Sequence, residues 1–132
     1  MFRYKHEAAF SKALCTMLRR HGWFVQRIET GTTGRGVPDI YSVSPERIPV
    51  WLELKRVHAI VHSRDTITVP WREGQQAWLM NIVKQYDQLA YTLVCCDNVI
   101  LRITHNKIYP ENRVICCSPD IKAYTVLSDL II

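Results

Sequence analysis

The stretch GVPDIYSVSPERIPVWLELKR, residues 36 to 56, decides the fold. PDIYSV and VWLELKR read as neighbouring β-strands, and SPERIP between them carries two prolines and polar residues that suit a turn. Asp39 opens the first strand, while Glu53 and Lys55 sit inside the second among Val50, Leu52 and Leu54. Side chains two apart in a strand share a face. Glu53 and Lys55 therefore project together, and Leu52, Leu54 and Ile40 face a core. In a paired sheet Asp39 comes close to Glu53. Charges placed that near a core are costly unless they pair or hold a metal. Two converging hard oxygen ligands suit a hydrated divalent cation, and magnesium is the natural one. Lysine beside it suits the charge on a phosphate and on an attacking water. An ordinary ion pair on a solvated strand is the plainer reading of Glu53 and Lys55 by themselves.

Working outward, residues 5 to 21 place Phe10, Leu14, Met17 and Leu18 at helical spacing, with Gly22 set to end the helix. Glu7, three residues before Phe10, falls near the edge of that inward stripe. WFVQRIE (23 to 29) alternates like a strand, and TGTTGRG (30 to 36) is a loop. Residues 73 to 89 read as a helix with Trp78, Leu79, Ile82 and Tyr86 along one stripe, and Gln75 shares that face. YTLVCC and VILRI around DN suggest a hairpin, and RVICC a further strand. SPDIKAYTVLSDLII reads as a closing helix with Ser118 as N-cap and Pro119 at the first helical position, although AYTV also fits a strand. Residues 57 to 73 leave two readings open, short strands at AIVH and TITV or a mobile loop. The order predicts an α/β fold, a central mixed sheet flanked by helices, over one domain of residues 1–132.

Composition narrows the partners. With 48% hydrophobic and 22% charged residues the chain has the balance of a globular domain. The net charge of +5 is that of a soluble basic domain and also suits a polyanion. No apolar run reaches the roughly 20 residues that span a bilayer, and the first residues do not form a signal peptide, so no membrane partner and an intracellular, cytoplasmic setting are expected. Cys15, Cys95, Cys96, Cys116 and Cys117 are odd in number and lack the C-x-x-C spacing of a zinc site. One of each vicinal pair is expected in the core. GTTGRG lacks the Lys-Ser/Thr of a nucleotide P-loop, which argues against a nucleotide cofactor. Trp51 and Trp78 sit at patterned positions and read as core.

The combination of Glu7 in the first helix, GRGVPDI, VWLELKR and then GQQAWL resembles the PD-(D/E)xK nuclease superfamily, and within it the VRR-NUC domains and small Holliday-junction resolvases. The resemblance covers roughly residues 5 to 100 and implies a single nuclease-like domain with a restriction-endonuclease-like core. It implies that Asp39 and Glu53 hold Mg2+, with Mn2+ able to substitute, helped by the backbone carbonyl of Leu54. Glu7 would hold a second metal or its waters. Lys55 would orient water or stabilise developing charge, and Gln75 would position Lys55 or the substrate phosphate. The implied reaction is DNA phosphodiester hydrolysis leaving a 5′-phosphate and a 3′-hydroxyl, on branched or duplex DNA, in a phage or bacterial setting. Two symmetric cuts in a four-way junction would require a homodimer, for which VLSDLII offers an interface or, alternatively, core residues. Arg19, Arg20, Arg35, Arg56, Arg64 and Arg72 are the candidate DNA contacts, the last three with His58, His62 and Trp71 in a flap beside the site. A catalytically silent binding module on the same scaffold is the alternative.

Overall fold

The computed structural model describes residues 1–28 and 36–130 of the 132-residue chain. Helix α1 spans Glu7–Arg20. His6 caps its start, its ring Nδ1 accepting from the Ala9 N–H at 3.2 Å. At the other end Gly22, with φ of +84°, turns the chain into a left-handed conformation. The Gly22 N–H then reaches the Arg19 carbonyl at 3.1 Å, and the Trp23 N–H reaches that of Leu18 at 3.1 Å. This pair of bonds is a Schellman stop, and it delivers Trp23 straight into the core.

Strands β1 (Phe24–Arg27), β2 (Ile40–Val43) and β3 (Pro49–Arg56) form an antiparallel meander. β4 (Thr66–Thr68) and helix α2 (Gln75–Tyr86) follow, then β5 (Leu89–Cys95), β6 (Ile100–Thr104), β7 (Arg113–Ile115) and β8 (Ile121–Tyr124). The main sheet runs β1-β2-β3-β5-β6-β8, with β3 and β5 parallel and every other neighbouring pair antiparallel. A parallel pair requires a crossover, and residues 57–88 with α2 supply it.

The crossover buries the sheet on its second face. Phe10, Leu14 and Leu18 of α1 pack on Ile40, Leu52, Leu54 and Leu93. On the opposite face Val61, Val69 and Trp71 pack on Val94, Leu101 and Ile103, closed by Val114 of the small β4–β7 sheet. Leu93 and Val94 go to different clusters because neighbours in a strand point to opposite faces. The same alternation explains the cysteines. Cys95 and Cys96 are both buried because β5 is covered on both sides, whereas Cys116 is buried and Cys117 exposed. The expectation of one core cysteine per pair therefore holds only for the second pair.

Three other expectations are corrected. The segment after Ser118 is a strand, not a closing helix. β6 has a free edge, and Ile121 and Ala123 pair with Ile103 and Leu101 along it, an attraction that outweighs the local helix signals. Ser118 instead ends a tight turn, accepting from the Ile121 N–H. The chain then makes a short 3-10 turn at Leu127–Asp129, and Leu130 enters the α1 core. AIVH is not a strand: the Asn98 side chain pins Val61, accepting from its N–H at 2.8 Å and donating to its carbonyl at 2.7 Å. Tyr86, placed by periodicity on the inner stripe of α2, is 64% exposed. Among the described residues no helix is long and apolar enough to cross a membrane.

Candidate active site

The β2–β3 register sets Ile40 opposite Leu52, so the next pair along is Asp39 and Glu53. Asp39 is anchored there, its Oδ2 accepting from the Leu54 N–H at 2.9 Å. Leu52 and Leu54 enter the α1 core, which turns Glu53 and Lys55 onto the other face. Both are almost fully buried, and Lys55 Nζ lies 3.6 Å from Glu53 Oε2. The strand thus places an acid and a base side by side where water scarcely reaches.

Gln75, the first residue of α2, is buried against them. Its Nε2 donates to Glu53 Oε2 at 2.8 Å, while its Oε1 accepts from the Arg72 N–H at 2.7 Å. Gln75 therefore bonds to Glu53, where the resemblance implied Lys55 or the substrate phosphate. The α2 N-terminus is held close because Gly36, with φ of +84°, lets its backbone approach: a Cβ there would sit 2.5 Å from the Gly74 carbonyl oxygen.

Glu53 Oε1 is buried and has no hydrogen-bond partner among the described residues. Burial, then the neighbouring Asp39 carboxylate, push the Glu53 carboxyl up to about 9 against the opposing pull of Lys55, and the charge of Glu7 adds to the rise. Glu7, half-buried at the start of α1, is also raised by burial and by Asp39, with Lys55 and Arg72 pulling it down. Five charged groups from four segments thus feel one another.

A cleft of about 150 Å³ opens at Glu7 and Asp39, lined also by Ser11, Arg27 and Leu54, while Glu53 and Lys55 stand behind Asp39 and do not line it. That volume admits a small ion with several waters, each needing roughly 30 Å³. An unpartnered carboxylate oxygen, a carboxyl that resists ionisation alone and a set of hard oxygen donors fit a divalent cation. Among the described residues no three His, Cys, Asp or Glu side chains gather closely enough to hold an ion unaided. A cation held here would have to keep several of its waters.

The arginines separate. Arg72 is exposed and within electrostatic reach of Glu7, and Arg64 is exposed. Arg19 donates to the Val25 carbonyl at 3.1 Å, and it and Arg20 lie at the far end of α1, about 20 Å along the helix from Glu7. Arg56, expected at DNA, is instead spent inside the fold: it donates to the carbonyls of Tyr4, Val57 and Cys95 and to Asp97 Oδ1 at 2.7–2.9 Å. Arg35 lies outside the described residues. Arg27 was missed by sequence reasoning. It shares the face of buried Val25 two residues earlier, and that strand periodicity is the signal that would have placed it in the cleft.

The tryptophans exchange roles. Trp51 and Trp78 are only half-buried and pack edge-on, 5.1 Å apart, with Tyr41 4.7 Å from Trp51. Trp71 is the core residue. Its Nε1 donates to Thr92 Oγ1 at 2.9 Å and its ring meets His105 edge-on, so it is no part of a strand-binding flap.

No protein-family model and no curated protein matches the chain. Among solved structures it is similar to Hjc, a Holliday junction resolvase from the archaeal hyperthermophile Archaeoglobus fulgidus. The TM-score is 0.58 with 13% identity, over 82% of this chain and 87% of that one. The likeness shows the fold, the restriction-endonuclease-like α/β core expected from the sequence.

Proposed function

We propose that the chain is a Mg2+-dependent DNA endonuclease of the PD-(D/E)xK type, close to the VRR-NUC and small resolvase groups and selective for branched DNA. One observation carries the reading: the unpartnered Glu53 Oε1 beside Asp39 and Lys55, buried at the end of a strand pair. The resolvase fold supports it.

Asp39 and Glu53, with the Leu54 carbonyl, are the residues that would hold the metal; Glu7 would hold its waters. Bound there, the cation supplies a nucleophile at neutral pH and neutralises charge on the phosphate. Lys55 stands beside Glu53 with its ammonium free of water, placed to hold the attacking oxygen and the pentavalent phosphate in line. Gln75 keeps Glu53 in one rotamer. Arg27 in the cleft and Arg72, within electrostatic reach of Glu7, suit the phosphates on either side of the scissile bond. The products are a 5′-phosphate and a 3′-hydroxyl.

A homodimer would present two such sites to a junction. The tail suggested for its interface is committed to the chain's own core through Leu127 and Leu130. A better surface is the part of the sheet that α2 leaves bare, where 56%-exposed Phe24 pairs with Val43, next to Tyr41, Trp51 and Trp78. Those rings pack tilted against one another rather than offering parallel faces to bases, which favours a protein partner over a single strand.

Cleavage of linear, flapped, forked and four-way DNA, with Mg2+ or Mn2+ against EDTA, tests the proposal for wild type and Asp39→Asn. Metal-dependent cutting that Asp39→Asn abolishes is expected. Binding indifferent to metal, with no cutting of any substrate, would make the chain a silent binding module.

A further inference from the structure

The Gln75 amide can hold Glu53 only if the backbone N–H that fixes its other end stays in place. That N–H belongs to Arg72, and the segment preceding α2 has no regular structure of its own. It is fixed from a distance. The Asn112 Nδ2 donates to the Trp71 carbonyl at 2.9 Å, and the Asn112 carbonyl accepts from the Val69 N–H at 2.9 Å. The Asn112 Oδ1 accepts from Gln76 Nε2 at 2.8 Å, and that same amide donates to the Tyr109 carbonyl and accepts from the Tyr109 N–H. Asn112 therefore ties together both sides of the Arg72 peptide, at Trp71 and at Gln76.

The adjacent glutamines divide the work. Gln75 faces the carboxylate site and Gln76 faces Asn112. Asn112 makes these bonds from a left-handed backbone, φ of 59°, next to Glu111 at φ of 57°. Two consecutive non-glycine residues there store strain of about 1–2 kcal/mol each. Asparagine is among the few residues that tolerate that conformation while offering both a donor and an acceptor.

We infer that Asn112 is a positioning residue for the metal site: it acts through the Arg72 peptide and Gln75 to hold Glu53 in its ligating orientation. The inference rests on the reading of Asp39 and Glu53 as metal ligands. Groups directly behind a ligand, as Gln75 is behind Glu53, typically change metal affinity by about 10- to 100-fold, and Asn112, which acts on that group, is expected at the low end of that range.

Asn112→Gly tests it, because glycine keeps the positive φ and the backbone carbonyl while removing both side-chain bonds. The readout is the Mg2+ concentration that gives half of the metal-induced rise in melting temperature, measured without DNA. The midpoint is expected to rise about 10-fold, and in a Gln75→Ala background Asn112→Gly is expected to move it no further, since the route is already cut. A midpoint within twofold of wild type, or a second full shift in the Gln75→Ala background, would overturn the role assigned to Asn112. Should Asn112→Gly fail to fold, Asn112→Asp keeps the acceptor for Gln76 but sets a carboxylate oxygen against the Trp71 carbonyl in place of the donor, and is held to the same outcomes. A wild-type protein whose melting ignores Mg2+ would sink the metal-site reading itself, a result distinct from a wild-type response that Asn112→Gly leaves unmoved.

Discussion

Gln75 Nε2 stands 2.8 Å from Glu53 Oε2, a bond between the first residue of a helix and the middle of a strand on the far side of a long crossover. It fills one oxygen of a buried carboxylate and leaves the other, Oε1, with no donor. A neutral carboxyl tolerates that arrangement in the absence of metal; a carboxylate tolerates it only when a cation arrives.

Proton and metal should therefore compete at Glu53. Its folded carboxyl sits at about 9 against 4.5 in the open chain. Between those values the native state binds the extra proton, so the stability of metal-free protein falls as pH rises. Mg2+ is expected to raise the melting temperature more at pH 8.5 than at pH 5.5. Glu53→Gln should flatten the pH dependence and abolish the Mg2+ response. An Mg2+ increment that does not vary with pH would remove Glu53 from the ligand set.

His105 imposes the opposite limb. It is wholly buried, bonded through Nε2 to Thr92 Oγ1, with Nδ1 unpartnered. Burial lowers its pKa from 6.5 to about 4. The unfolded chain takes up the proton first, so its contribution is complete above pH 6.5 and is lost as pH falls toward 4, about 3 kcal/mol in all. Urea unfolding at pH 7, 5.5 and 4 should show that loss in wild type and a shallower one in His105→Gln. Parallel slopes would show that His105 does not control the acid limb.

Arg56 and Arg72, both expected at DNA from sequence, should behave differently. Removing Arg56 takes the donor from the Tyr4 carbonyl and the Asp97 carboxylate and one of two donors from the Val57 and Cys95 carbonyls, and Arg56→Ala should cost about 3 kcal/mol in chemical denaturation. Arg72→Ala should stay within about 0.5 kcal/mol of wild type. It should weaken DNA binding and reduce the slope of log affinity against log salt by about one. Equal stabilities for the two variants would contradict the bonding seen here.

If the bare sheet face joins two copies, light scattering should give twice 15.4 kDa for wild type. Phe24→Glu should give the monomer, because a charge at the middle of an apolar patch cannot be desolvated cheaply. Asp39→Asn should remain dimeric. A monomeric wild type at tens of micromolar, or a dimer that Phe24→Glu leaves intact, would rule this face out.

Local periodicity carried the first half of the molecule. In α1 the stripe of Phe10, Leu14, Met17 and Leu18 and the stop at Gly22 are both short-range signals, and in β3 the alternation of Leu52 and Leu54 with Glu53 and Lys55 states outright which face is wet chemistry and which is core. Position 39 against 53 followed from a hairpin-like register, again local. What was left open or misread lies at long range. Thr66–Thr68 becomes a strand only because Arg113–Ile115 pairs with it, and Ile121–Tyr124 only because β6 offers a free edge. Ser118-Pro119 is a sound helix start in isolation, and a neighbouring strand outbid it. Trp71 looked like an exposed flap residue because nothing nearby in sequence announces Thr92 as its partner. Gln75 was found by its face on α2; its true contact, Glu53, needed the crossover to be closed.

The tie from Asn112 to the Trp71–Gln76 segment has a consequence for the order of events at the ribosome. Synthesis releases the carboxylate-bearing strand long before the asparagine that steadies its reach exists, so a half-made chain carries the acids without the means to aim them. On the role proposed for Asn112, ripening of the centre waits until the small outer sheet has docked, so the growing chain is expected to be inert.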